Sequence, residues 1–261
     1  MTTTSVRPSP RPLRCYTATT VRILRQLRAD HRTVAMLLLV PALLMTLLYF
    51  IYADYPHPPG QPGLFDRVGI SMLGVLPFVV MFLITAIAMQ RERTSGTLER
   101  LMTTPLSKLD LLAGYGTAFS TAAAAQAAIA CGVAFWLLGL EAEGAPGLVV
   151  LIAMVDAVLG VALGLLASAF ARTEFQAVQF MPVIVLPQFF LCGLLVPRGQ
   201  LPGWLEAISN VLPLSYAVDA LQEVSTKSGA TGQMWRDLVV VAGFAAVALT
   251  LGAATLRRRT A

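Results

Sequence analysis

The sequence predicts an all-α integral membrane protein with six transmembrane helices. Three observations carry that prediction. Only 13% of the 261 residues are charged and 56% are hydrophobic, whereas a soluble domain carries about 25% charged residues. Several apolar runs approach the roughly 20 residues that cross a bilayer as a helix. Strand-like alternation is scarce, which argues against a membrane barrel. Smaller elements complete the plan: an N-terminal interfacial helix, a short polar helix between spans two and three, and short re-entrant helices between spans five and six.

Residues 1–14 are polar and rich in Pro and Arg. They lack an apolar stretch ahead of a small-residue cleavage site, so a disordered cytoplasmic tail is expected and a signal peptide is not. Residues 15–32 carry Arg22, Arg25 and Arg28 at helical spacing with Ile23, Leu24 and Leu27 between them. That pattern fits an amphipathic helix on the membrane surface, or a basic flank that orients the first span. The transmembrane domain covers 33–256, with spans expected at 33–52, 68–90, 109–140, 147–170, 175–196 and 238–256. Tyr49, Phe50 and Tyr52 form an aromatic belt at the end of the first span. Pro77 marks a kink in the second, and Ser107 with Asp110 has capping-box spacing before the third. A basic tail, 257–261, closes the chain.

Charge sets the orientation. With spans alternating, fifteen of the nineteen Lys and Arg residues fall on the side of the termini and four on the other, namely Arg67, Arg198, Lys227 and Arg236. Cytoplasmic loops are enriched in basic residues, so both termini and the 91–108 connection are expected in the cytoplasm. This bias also accounts for the net charge of +5 and for a pI near 9.4 without nucleic acid binding, for which no aromatic-basic platform exists. The three cysteines share no CxxC spacing, so they read as small hydrophobes.

Polar residues inside the spans have two readings each. Asp156 is followed by Gly160, Gly164 and Ser168 at four-residue steps. This ridge reads as close helix packing, with Asp156 bonded to a neighbour such as Gln126, or as a proton or substrate contact; alternatively Asp156 lies near the outer interface. Gln126, Gln176, Gln179 and Gln188 fit a polar cavity or bonds between helices. Pro182 and Pro187 fit a bent segment beside a cavity or subunit interface, or a purely structural kink. No HExxH, GxSxG or P-loop is present, and neither His31 nor His57 lies in a span. An intramembrane enzyme is therefore disfavoured, metal ligands and catalytic residues are not expected, and any ATP-driven role needs a partner chain.

The stretch QRERTSGTLERLMTTP, residues 90–105, is the most informative. Ser95 can cap a short helix, Leu98, Leu101 and Met102 fall on one face, and Pro105 ends it. From the residues alone it is an ordinary helical loop or a knob for a cytoplasmic partner. Beyond span five, Pro202 and Pro213 each stand where a helix can begin. Trp204, Leu205, Ile208, Tyr216 and Leu221 supply apolar sides for two short helices at the outer surface.

RERTSGTLERLMTTPLSKLDLLAGY resembles the signature of ABC-2 type transporter permeases, in the antibiotic-exporter branch typified by the daunorubicin resistance permease. The matching positions are Glu92, Arg93, Gly96, Thr97, Leu98, Glu99, Thr104 and Pro105. A second block resembles the family's region after span five, at Gly193, Pro197, Pro202, Trp204, Leu205, Pro213, Leu214, Tyr216, Ala220 and Leu221, with Gln222 replacing a residue that is basic in many relatives. The resemblance covers about residues 15–256. It implies that 15–32 is a connecting helix, and that 90–105, with Leu101 and Met102 among its contacts, is the coupling helix docked on an ATP-binding subunit. It implies re-entrant helices within 201–223 and a permease interface formed by spans one and five. It implies two ATPase copies that hold ATP and Mg, no cofactor on this chain, and a second permease copy or paralogue in the bacterial plasma membrane. The implied function is export of small amphipathic compounds such as drugs, antibiotics or lipid-like metabolites. The alternative is a polysaccharide or glycolipid exporter.

Overall fold

The protein is described here from a computed structural model that covers residues 12–56, 63–97 and 108–255. The N-terminal tail before Pro12, the outer-loop histidine His57, the basic C-terminal tail, Ser107, and Leu98, Glu99, Leu101, Met102, Thr104 and Pro105 of the connection lie outside the described residues. The described chain is helical, without strands. Its elements are α1 (Pro12–Ala29), α2 (His31–Tyr52), α3 (Leu64–Thr94), α4 (Lys108–Gly132, continued by a π-helical turn Val133–Leu137), α5 (Pro146–Ser168), α6 (Glu174–Leu191), a 3-10 turn Arg198–Gln200, α7 (Gly203–Ser209), α8 (Pro213–Thr226) and α9 (Gly232–Ala254). Six of the helices are long and apolar enough to cross a membrane: α2, α3, α4 with its π turn, α5, α6 and α9.

Several boundaries differ from those expected, each for a local reason. The first span starts at His31, because Asp30 caps it by accepting the Thr33 amide at 3.1 Å. The second runs from Leu64 to Thr94, four residues beyond Gln90, because Arg91, Glu92 and Arg93 are good helix formers and two of them place positive charge at the negative end of the helix dipole. The third ends at Leu137 instead of Leu140, before Gly139 at φ +68°. The fifth stops at Leu191, short of Val196, and the chain turns at Gly193 with φ +91°. The sixth begins at Gly232, six residues before Leu238. Thr231 caps it by accepting the Met234 amide, and Arg236 and Asp237 within the added turns pair at 3.0 Å. The prolines at 41, 77, 182 and 187 all lie within helices, which membrane helices tolerate where neighbours re-satisfy the backbone.

α3 and α5 form the centre. In each, 61% of the most apolar 18-residue window is buried, against 17% in α2 and α6, which are therefore peripheral. The two central helices run parallel and meet along a glycine seam. A Cβ on Gly160 would collide with the Phe78 carbonyl oxygen, and one on Gly164 would lie 2.5 Å from that of Phe82. Only glycine permits this approach of backbones, which gains dispersion contacts where no hydrophobic driving force exists between helices in lipid. Around the seam, Met45, Ile70, Leu73 and Ile152 fill the half toward the 138–145 loop. Met81, Met89, Leu111, Tyr115 and Leu165 fill the opposite half. Phe78, Phe82, Leu159, Val185 and Leu214 join the core to α6 and α8. Cys131 and Cys192 are buried, unpaired thiols within it.

The helix ends alternate. Asp66, near the start of α3, accepts the Glu141 amide beyond α4 at 3.0 Å. At the other end, Arg91 of α3 pairs with Glu174 of α6. One end of the bundle thus gathers α1 and the root of the 98–107 connection, and the other gathers α7 and α8.

Candidate functional site

The site is built where α3 leaves the bundle. α1 is docked along α4. Thr19 packs over Gly114, where a Cβ would meet Thr19 Cγ2 at 2.8 Å. The Tyr16 and Thr117 hydroxyls lie 2.7 Å apart, and Ile23 is buried between the helices. This docking aims Arg22 at the last turn of α3. Its Nη2 donates to the Tyr115 hydroxyl at 2.7 Å and lies 4.0 Å from Glu92 Oε1, and its guanidinium carbon sits 5.9 Å from the Tyr115 ring centroid. Three helices therefore share one polar node. Glu92 is largely buried there, and its Oε2 meets no hydrogen-bond donor among the described residues. Arg93, half-buried on the same turn, keeps Nε and Nη2 unpartnered among them. Arg91 faces α6, where Nε and Nη2 donate to the two Glu174 carboxylate oxygens, each at 3.2 Å.

The helix then stops abruptly. Ser95 caps α3, its amide donating to Arg91 O at 3.0 Å, and Gly96 adopts φ +71°. A left-handed residue after a helix end is the common glycine stop, and a side chain there would be strained. Thr97 is already helical again, its hydroxyl 2.9 Å from that of Ser95. Glu92 and Arg93 accordingly belong to the spanning helix, and Gly96 is the joint beyond which the connection departs.

The opposite end is organised by Arg198. Its two terminal nitrogens donate to Asp219 of α8 and to the Asn210 side chain after α7, and its guanidinium stacks 5.3 Å from the Tyr216 ring centroid. The Tyr216 hydroxyl donates to Asn210 O at 2.6 Å. Burial pushes the Asp219 carboxyl above its ordinary range, with Arg198 pulling it back. Pro202 precedes α7, where Trp204 is exposed and Leu205 half-buried. Pro213 opens α8, Leu214 is fully buried, and its amide donates to Gln188 of α6 at 3.3 Å. α8 thus sinks its Leu214, Ala217, Val218 and Leu221 face into the bundle, and Leu221 covers Gly74 of α3.

Both blocks fall inside one family match. Residues 14–225, from α1 through α8, match the family model for the ABC-2 type transporter. The chain belongs to the ABC-2 type transporter family. It is 24% identical over 168 residues to the probable multidrug ABC transporter permease YbhR of Escherichia coli (strain K12), a match covering 64% of this chain and 46% of the relative. It is 26% identical over 165 residues to the linearmycin resistance permease protein LnrN of Bacillus subtilis (strain 168), covering 63% and 43%. It is also 26% identical over 174 residues to ABC transporter G family member 20 of Dictyostelium discoideum, covering 66% and 24%. The chain thus spans about half the length of the bacterial relatives it matches, and a quarter of the amoebal one.

Within this ABC-2 chain the remaining predicted residues do not gather into one pocket. Asp156 is fully buried beside Gly74, and neither of its oxygens nor any polar atom of the Gln126 side chain finds a partner among the described residues, so the expected bond between them is absent. Gln179, Pro182 and Pro187 lie on the exposed face of α6. Gln188 bonds to Ile184 O and Leu214 N instead of lining a channel. Sequence reasoning missed Tyr115 and Glu174 as partners of the 91–93 turn, and the Arg198–Asp219 pair. Arg22 was visible as a basic helix position, but its partner is 70 positions away and only the packing of α1 on α4 brings them together.

Proposed function

We propose that this chain is the membrane permease subunit of an ATP-binding cassette exporter that moves small amphipathic compounds out of the cytoplasm. A separate ATPase, in two copies, would bind ATP and Mg and supply the energy. A second copy of the chain, or a paralogue, would complete the path across the bacterial plasma membrane, with both termini and the 98–107 connection in the cytoplasm. α1 would lie along the inner surface, and α7 and α8 would form the re-entrant outer closure.

The observation that carries this reading is the Arg22–Glu92–Tyr115 node at the root of that connection. A subunit driven from outside needs a projecting element fastened to several spans at once. In this reading the connection, the coupling helix of the family resemblance, would project from the helix that forms the centre of the bundle, one turn beyond a node shared with α1 and α4. ATP-driven closure of the ATPases would push on Leu98, Leu101 and Met102, and α3 would carry the displacement inward. The names of the multidrug and linearmycin resistance relatives support the exporter assignment.

Co-purification tests it. The tagged chain should bring down an ATPase, and Leu98→Asp or Glu99→Arg should abolish both the association and ATP-driven transport. Intact assembly and transport in both variants would refute the coupling role. Orientation is tested separately in a background lacking the native cysteines. Ala145→Cys should label from outside and Ser95→Cys only after permeabilisation, and the reverse pattern would overturn the topology.

A further inference from the structure

A cleft of about 520 Å³ opens between α1, α2, α3 and α4 at the end of the bundle that carries the Glu92 node. That volume suits a drug-sized ligand. Its lining is graded. Leu83, Ile84, Ile87 and Phe119 form an apolar wall, and Asp30, Arg91 and Glu92 form the rim. From Leu83 to Arg91 along α3 is about 12 Å at 1.5 Å per residue, so the wall accepts an extended hydrocarbon chain whose head lies at the rim.

The rim is negative in effect. Arg91 has both facing nitrogens engaged by Glu174. Asp30 accepts from the Thr33 hydroxyl and amide, which with a weaker pull from the Arg32 amide and Arg91 hold its carboxyl below the usual carboxylate range, and it forms no ion pair among the described residues. Glu92 keeps Oε2 buried with no donor among the described residues, and such an orphaned acceptor is costly. Arg22 lies off the lining, donating to Tyr115 and 4.0 Å from Glu92 Oε1, so a cation with N–H donors would still meet the unengaged Glu92 Oε2 and the Asp30 carboxylate, whereas an anion would meet two carboxylates first.

We propose that this cleft is a binding site for a single-chain cationic amphipath, an alkylammonium whose head sits between Asp30 and Glu92 and whose chain lies on Leu83, Ile84, Ile87 and Phe119. Such a site would bind whether or not an ATPase is attached, so its failure and the failure of the exporter assignment are separate outcomes.

The test uses the full chain in phosphatidylcholine nanodiscs and dodecylammonium bearing a photoreactive diazirine in its chain. Alkyl sulfate and alkyl glycoside probes of equal length serve as comparisons. Saturable labelling of the 83–88 segment by the cationic probe, displaced by unlabelled dodecylammonium, is expected. Asp30→Asn removes charge but keeps a good helix cap, and it should weaken apparent affinity about tenfold, the loss expected for one charge-assisted contact. Ile84→Trp should fill the cleft and remove the labelling. Equal labelling by all three probes, labelling concentrated on the exposed α2 residues Leu43 and Leu47, or labelling undiminished in both variants would overturn the proposal and mean that bulk lipid occupies the cleft.

Discussion

Phe78 and Phe82 present backbone carbonyls directly to glycines of α5. Ten residues beyond Phe82, the same helix ends among Arg22, Tyr115 and Glu92. The first region is backbone against backbone, with no room for an added carbon. The second is a loose polar node with unpartnered atoms on Arg22, Glu92 and Arg93 among the described residues. Interdigitated apolar seams are stiff because displacement forfeits many contacts at once. A polar node makes fewer such contacts, so displacing it forfeits less packing. One helix therefore joins a stiff region to a less tightly packed one, an arrangement that suits the driven subunit proposed above.

Four substitutions break or sharpen that contrast. Gly160→Leu drives a side chain into the Phe78 carbonyl and should cost at or above the upper end of the roughly 1–3 kcal/mol typical of overpacking. The measurement is equilibrium unfolding in detergent, and a wild-type stability would show that the seam can open. Arg198→Ala comes next. Arg198 and Asp219 are 15% and 25% exposed, so orphaning the carboxylate should cost about 2–3 kcal/mol, somewhat below the range for fully buried pairs. If it costs far less, polarity rather than burial governs all the nodes. Tyr115→Phe should cost about 1 kcal/mol, one hydrogen bond, while lowering ATP-driven transport much more than stability. Proportionate losses would make the node merely structural. Glu174→Gln should cost less than about 1 kcal/mol, because the Arg91–Glu174 pair is exposed on both sides. A larger loss would mean that the α3–α6 contact is part of the stiff region.

The six spans were legible because each is a long apolar run, and the seam was legible because Gly160 and Gly164 recur at helical spacing. α8 announced itself through Pro213. What was not legible depended on distant partners. The extension of α3 through Arg91–Thr94 looked like a loop, since charged residues read as the end of a span until Arg22 and Glu174 are seen to receive them. The early start of α9 was missed because the expected boundary followed the apolar run from Leu238, and the Thr231 cap lies outside that run. Asp156 and Gln126 looked like mutual partners by hydrophobic context alone, and the packing holds them apart from any partner described here.

α3 is a single 31-residue helix, about 46 Å long. Its phase is consequently shared by everything along it. Each residue advances the helix by about 100°, so Gly74 under Leu221, Phe78 on Gly160 and Glu92 beside Arg22 hold one common angular register. Adding one residue between Ala86 and Gln90 would leave the seam untouched and swing Glu92 away from α1, whereas adding a near-whole turn of four would bring it back at a new height. The two ends of this protein are coupled by rotation about one axis as much as by distance along it.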